Sequence, residues 1–352
     1  MYMRRETKIP ERSSFHAGDL VEVRSPQEIL ATLDENGELE SLPFMPEMLQ
    51  FCGRRFRVDK VAVKACDTIG FTGIYRMHDA VHLSDVRCDG SAHGGCQAAC
   101  NIYWKDAWLR KIESPYGVST AQRQTTPSAP RPGGASAGCT IDTLSRATRK
   151  KNGTTPGDEP CYSCQATELL RAVPERIPSW DAGQYIRDVK SGNVGGVAML
   201  RCLVIGAFNE VQDATRSRLP KRLSIRGGRR FPFIEGKLRK TPESPLGLRP
   251  GELVRIKSKD DIVRTLDVQN RNRGISFDPE MVKYCGREAR VLQRVERIID
   301  EKTGRMMRLK NPCIMLEDVI CAGAYHRYCP RGIYPYWREI WLERVAEPKQ
   351  TA

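Results

Sequence analysis

Gly18-Asp19-Leu20-Val21-Glu22-Val23 returns 233 residues later as Gly251-Glu252-Leu253-Val254-Arg255-Ile256. The match continues without net insertion, so that Gly18 to Ile112 corresponds to Gly251 to Val345. Ser25, Ile29, Thr32, Leu33 and Asp34 reappear as Ser258, Ile262, Thr265, Leu266 and Asp267. Phe44, Pro46, Glu47 and Met48 return as Phe277, Pro279, Glu280 and Met281, and Cys52-Gly53-Arg54 returns as Cys285-Gly286-Arg287. Trp104-Lys105-Asp106-Ala107-Trp108-Leu109 closes the first stretch and Trp337-Arg338-Glu339-Ile340-Trp341-Leu342 the second. One offset held across so many positions reads as a duplicated domain.

Each copy has the same local signals. Leu20-Val21-Glu22-Val23 alternates after a glycine turn and predicts a short strand. Ser25-Pro26-Gln27-Glu28 predicts a helix start, with serine as cap, proline in the first turn and glutamate completing a capping box. Ser258 and Asp261 keep that chemistry in the second copy. Phe56 to Val63, Val81 to Val86, Ala289 to Val295 and Ile314 to Ile320 read as strands, and the Trp-x3-Trp-Leu segment as a closing strand. The expected class is α+β: two copies of a small β-rich domain flanking a helical middle module. The strand pattern opened by G-[DE]-L-V-x-[VI] resembles a small SH3-like barrel with an inserted helix. The whole-chain pattern is similar to uncharacterised bacterial proteins with tandem Cys/His modules. Neither resemblance implies an activity.

The domain boundaries follow. Residues 1–16 form a tail, 17–113 the first Cys/His repeat, and 114–138 a Pro/Gly/Ser-rich linker. Residues 139–215 form the helical module. Helices are expected from Ala166, over Trp180 to Lys190, and over Val197 to Phe208 as a buried core helix. A basic arm covers 216–249, the second repeat 250–346, and a short tail 347–352.

The chain has 352 residues, 57 Lys plus Arg against 43 Asp plus Glu, and a net charge of +14. Its 40% apolar content is enough to build cores. No run approaches the roughly 18–20 apolar residues of a spanning helix. The opening MYMRRETKIPERSS lacks the apolar region of a secretory signal, so a cytoplasmic location is expected. Thirteen cysteines, an odd number, then point to metal ligation or thiols rather than a disulfide framework.

The repeat sharpens that reading. Cys88-x4-His93-x2-Cys96 recurs as Cys321-x4-His326-x2-Cys329, while the residues between the ligands differ. With Cys52 and Cys285 as matched fourth ligands, the sequence predicts two Cys3His zinc sites. Burial alone does not require the same spacing twice. Cys161-x2-Cys164, with Cys139 and Cys100, offers a third metal or thiolate site. Asp85 and Asp318, each three residues before a ligand cysteine, read as strand-end carboxylates rather than catalytic bases. His78 and His82, four apart and without counterparts in the second copy, have no assigned role.

From Arg216 to Lys240 there are ten basic residues and one acid, which contributes +9 of the net charge. Arg216, Arg218, Lys221, Arg222, Arg226, Arg229 and Arg230 suit an extended arm that neutralises phosphates. Nucleic acid and anionic membrane surfaces both fit such an arm. The chain carries no G-x4-G-K-[ST], G-x-S-x-G or G-x-G-x-x-G motif. The leading expectation is therefore a zinc-stabilised tandem binding protein, not an enzyme. The alternatives are a metalloenzyme, or an accessory protein of a bacterial biosynthetic pathway, using the middle cysteines, and a structural scaffold. The sequence leaves the oligomeric state open.

Overall fold

The structure is a computed structural model. It describes residues 13–112, 139–149, 160–216 and 225–345. The expected 114–138 linker, the 347–352 tail and most of the N-terminal tail lie outside these residues. The chain is mixed α and β and forms two compact units. One comprises Met1–Gly94, Ile102–Asn193 and Glu301–Arg305; the other comprises Gly95–Asn101, Val194–Asp300 and Met306–Ala352.

In the first unit an antiparallel sheet runs in the order Trp104–Lys105, Ala80–Leu83, Arg55–Val61, Leu20–Val23, Leu109–Lys111. In the second, the order is Met306–Leu316, Glu288–Ile299, Leu253–Ile256, Leu342–Arg344. Leu20 pairs with Arg57 and Val21 with Lys111. Leu253 pairs with Arg290 and Val254 with Arg344, in each case 233 residues further along. The alternation predicted the inward face: Val21 and Val23 are fully buried, as are Val254 and Ile256. The strands Glu288–Ile299 and Met306–Leu316 of the second sheet are longer than expected, at 12 and 11 residues.

The inserted helix α1 (Pro26–Leu30) begins as predicted. Ser25 Oγ accepts from Glu28 N, and Glu28 Oε2 accepts from Ser25 N at 3.0 Å. The Trp-x3-Trp segment is not one continuous strand. A 3-10 turn, Asp106–Trp108, interrupts Trp104–Lys105 and Leu109–Lys111. This turn points both indoles inward: Trp104, Trp108, Trp337 and Trp341 are all fully buried. Trp108 Nε1 donates to Thr32 Oγ1 at 3.1 Å, and Trp341 Nε1 to Thr265 Oγ1 at 2.8 Å. Phe44 and Phe277 meet these rings edge-on, at 5.1 Å from Trp108 and 5.6 Å from Trp341.

The helical stretch does not form a body of its own. Helices α2 (Ile141–Ala147), α3 (Gln165–Ala172) and α4 (Ala182–Lys190) belong to the first unit, and α5 (Gly196–Arg216) to the second. α3 and α4 fall where the sequence placed them. α5 is longer than expected and is not a buried core helix: Val197 is 87% exposed, Leu200 63% and Val204 61%. Its inward face is Met199, Cys202, Asn209 and Gln212. The polar pair is buried because it satisfies a returning loop. Gln212 Nε2 donates to Ile225 O at 2.8 Å and Arg229 O at 2.9 Å, and Asn209 Oδ1 accepts from Phe231 N at 2.7 Å. Among the described residues no helix is long and apolar enough to cross a membrane.

That loop is part of the expected basic arm, and its described portion is not extended. Arg226 lies over the Phe233 ring at 5.0 Å, Arg229 pairs with Glu235 at 2.6 Å, and Arg230 with Asp213 at 3.5 Å. Arg216 is the last residue of α5. Arg218, Lys221 and Arg222 lie outside the described residues.

Last in the chain order, helix α6 (Lys259–Val263) starts from Ser258, whose Oγ accepts from Asp261 N at 3.1 Å.

Candidate metal centre

Phe44-Met45-Pro46-Glu47-Met48 enters a 3-10 turn at Pro46, whose ring suits the first helical position. Phe44, Met45 and Met48 sink into the first core and carry the Glu47 side chain in with them; its side chain is 0% exposed. After the strand Ala80–Leu83, a loop with Gly90 and Gly94 at positive φ brings Cys88 and His93 to the same place. Gly94 is required there, because a Cβ would stand 2.4 Å from the Tyr162 hydroxyl.

Glu47, Cys88 and His93 form the one group of three among the described residues whose ligand atoms all lie within 4.8 Å of each other. Cys88 Sγ lies 3.1 Å from Glu47 Oε1, and His93 Nδ1 lies 2.9 Å from the same oxygen. His93 Nε2 is 3.0 Å from the carbonyl of Ser163. A carbonyl only accepts, so Nε2 carries a ring proton, and in the neutral imidazole Nδ1 presents a lone pair. That lone pair faces a carboxylate oxygen, and the contact lacks hydrogen-bond geometry, so Nδ1 has no partner. Glu47 Oε2 is likewise buried without one. With the imidazole neutral, two acceptors face each other in a buried site, and either a second ring proton or a metal ion between them relieves that contact. The group can hold a metal ion.

Sequence reasoning missed Glu47, although the signal was on the page. A charged residue stands between core residues of F-x-P-E-M in both copies. It also missed Ser163, which reaches His93 only through folding.

The other predicted residues are distributed as follows. Cys52 follows the 3-10 turn, packs against the first core and has its thiol pushed up by burial. Cys285 occupies the matching place against the second core, where burial pushes its thiol up to about 11. Neither joins the compact group with Glu47. Cys96 belongs to the second unit, and Ile299 N lies 3.3 Å from its sulfur. Cys100 also falls in the second unit, whereas Cys139, Cys161 and Cys164 fall in the first. Cys139 and Cys164 are buried in the first core, Cys164 as the residue before α3, and burial followed by the charge of Asp34 pushes the Cys139 thiol up. Asp85 and Asp318 are turn residues, with φ of 60° and 57°, as strand-end carboxylates should be. His82 is buried with Nδ1 2.9 Å from Ile102 O, and His78 lies 4.0 Å from Glu175.

In the second copy Glu280 is 2% exposed; its Oε1 accepts from Tyr325 N, and its Oε2 has no hydrogen-bond partner. His326 Nε2 lies 3.3 Å from both oxygens of Asp278, a residue that stands where the first copy has Met45. Burial pushes the Cys321 thiol up to about 12, with the negative charge of Glu280 the next cause and Asp278 and Cys329 acting the same way. His326 is raised by its hydrogen bond to Asp278, against burial and with Glu280 and Cys329 adding to it.

No protein-family model, no curated protein and no solved structure matches this chain.

Proposed function

We propose that this protein is a zinc-stabilised binding protein, built from two copies of a small SH3-like domain, that docks an anionic partner through its basic segment. One observation carries the metal: the His93 Nδ1 lone pair faces the Glu47 carboxylate at 2.9 Å with neither atom exposed. An oxygen, a nitrogen and a sulfur donor together suit zinc. The His93–Ser163 contact is the outer hydrogen bond that metal-bound imidazoles make, and it fixes the tautomer.

The role is structural. A catalytic ion needs a position that water and substrate can reach, and Glu47 and His93 are 0% and 1% exposed. The ion instead replaces core that the polar side chains cannot supply. The anionic partner rests on the charge of the 216–240 stretch, and single-stranded nucleic acid is the favoured class. Lys237, Arg239 and Lys240 are exposed, so they extend that charge beyond the paired arginines.

Two measurements test the reading. Elemental analysis of protein purified under reducing conditions, without added metal, should find zinc that is lost in His93→Ala. Equal zinc in the variant would sink the site. Binding to a single-stranded oligonucleotide should weaken with salt, with a slope of about −0.7 per phosphate neutralised. Replacing Arg216, Arg218, Lys221 and Arg222 by serine should flatten that slope. An unchanged slope would remove the basic segment from the interface.

A further inference from the structure

Helix α5 packs one face on its own unit and leaves the opposite face bare. Met199, Cys202, Asn209 and Gln212 are its buried residues. Val197, Leu200, Val204, Ala207, Val211 and Ala214 are all exposed, and they follow one another at alternating steps of three and four residues. That is the 3.5-residue period of a coiled-coil seam, narrower than the face a helix buries against a globular core. The buried residues fall on the far side of the same heptads, so packing within the unit leaves the seam uncovered. No charged residue interrupts the seam over the 21 residues of the helix.

The residue types narrow the occupant. Val197, Val204 and Val211 take the first core position of successive heptads, and Leu200, Ala207 and Ala214 the second. β-branched residues at the first position, with leucine at the second, favour two parallel strands. In a parallel pair each seam residue meets its own counterpart, so the surface is self-complementary about a two-fold axis. The flanking positions then bring Leu203 opposite Phe208 and Glu210 opposite Thr215, and no like charges face each other. The stripe offers of the order of 500 Å² of apolar surface, as large as the largest patch on a typical monomer. Two copies together reach the roughly 1,000 Å² that a specific interface needs.

We propose that α5 is a dimerisation helix: two copies of this chain pair through the Val197–Ala214 seam as a parallel two-stranded coiled coil. The helix is held ready for that role from behind. Cys202 Sγ donates to Ala324 O at 3.1 Å, Tyr328 Oη donates to Ala198 O at 3.1 Å, and Gln212 holds the returning loop. The pairing places Arg216 of both copies at one end of the dimer, where a polyanion meets two basic segments at once. The dimer itself depends on neither the metal nor the polyanion reading.

The test is sedimentation velocity on the full chain under reducing conditions, which should give twice the 39.8 kDa chain mass. Val197→Glu and Val204→Glu should each give monomer. Both side chains face solvent in the single chain, so helical circular dichroism should stay at the wild-type value. Ile186→Glu, at an exposed apolar position on α4, should leave the dimer intact. Val197→Cys should cross-link two copies on mild oxidation above the wild-type background, since only a parallel pair sets these positions side by side. A wild-type monomer overturns the proposal, and so does a dimer that survives both glutamate substitutions. A dimer that Val197→Cys fails to link overturns the parallel register. A monomer that floats with phosphatidylserine-containing vesicles, and stops doing so in Val204→Glu, gives the stripe to a membrane surface instead.

Discussion

The Glu47–Cys88–His93 group and the Glu280–Cys321–His326 group start from the same five-residue frame and the same Cys-x4-His spacing. They differ in what the rest of the chain brings to them. The first is sealed by the middle region, whose Ser163 carbonyl meets His93 and whose Tyr162 closes over Gly94. The second has a carboxylate two residues before its glutamate, and that carboxylate takes the imidazole without help from a distant segment. A duplicated local motif thus yields one sealed imidazole and one open to solvent. Residue identity is local, but access is a property of the neighbours.

The comparison can be broken most forcefully by removing metal. Structural zinc supplies roughly 10–16 kcal/mol in peptide models at neutral pH. Prolonged chelation should therefore abolish the cooperative unfolding of the first unit, read by loss of near-ultraviolet circular dichroism from Trp104 and Trp108. A matched incubation without chelator should leave that signal in place. A signal that survives prolonged chelation would remove the metal from the first core.

A second contrast involves a pair with no equivalent in the second copy. Lys64 and Asp188 are fully buried and 2.5 Å apart, whereas the residue matching Lys64 is Arg297. Lys64→Met leaves a buried charge unpaired and should cost about 3–5 kcal/mol. Amide exchange should localise the damage to the first unit. Protection lost equally in the Leu253–Ile256 strand would contradict this.

The tryptophan turns should behave alike. Trp108→Phe and Trp341→Phe each remove one indole hydrogen bond to a matched threonine. The bond itself is worth about 0.5–1.5 kcal/mol. Thr32→Val and Thr265→Val should reproduce these effects in denaturant titrations, and a difference of several-fold between the copies would mean that the turns are not equivalent.

Acid should separate the units most gently. Asp106 and Glu339 occupy the same position and hold the segment preceding each repeat. Asp106 accepts from Ser13 Oγ and Ser14 N, and Glu339 accepts from the backbone of Leu246, Gly247 and Leu248. Burial dominates at Asp106 and raises its carboxyl above 3.8. At Glu339 burial is opposed and outweighed by the three N–H donors and Arg294, which lower it below 4.5. The contribution of Glu339 is thus present above pH 4.5 and is lost as the pH falls through its lowered value. The contribution of Asp106 has the opposite sign: it is present below pH 3.8 and is lost as the pH rises through its raised value. Glu339→Gln should flatten the acid dependence of protection in the second unit, and Asp106→Asn should stabilise the first near neutrality. A steeper acid dependence in Glu339→Gln would refute the assignment.

Much of this was legible before folding. The first strand of each copy, the Ser25 and Ser258 caps, and the starts of α3 and α4 depend on neighbours within a few residues. Spacing alone also brings Cys88 and His93 into one loop, where they meet Glu47. α5 was misread because its apolar residues suggested burial. Its packed face includes Asn209 and Gln212, which bond the backbone of the loop at 225–231. The described part of the basic stretch is not extended for a related reason: Phe233, Glu235 and Asp213 give Arg226, Arg229 and Arg230 partners within the chain.

By itself the sequence determined the periodic pattern: the repeat at one offset, its strands and caps, and the Cys-x4-His pairs. Hydrogen bonding and apolar alternation over a few residues are enough to specify these. Tertiary structure alone decided that Glu47 joins the sulfur and the imidazole, that Ser163 sets the tautomer of His93, and that Cys96 goes to the other unit. Those outcomes depend on which atoms converge once water is excluded. Burial leaves Glu47 Oε2 without a hydrogen-bond partner beside a thiol and an imidazole, a set that can hold a metal ion.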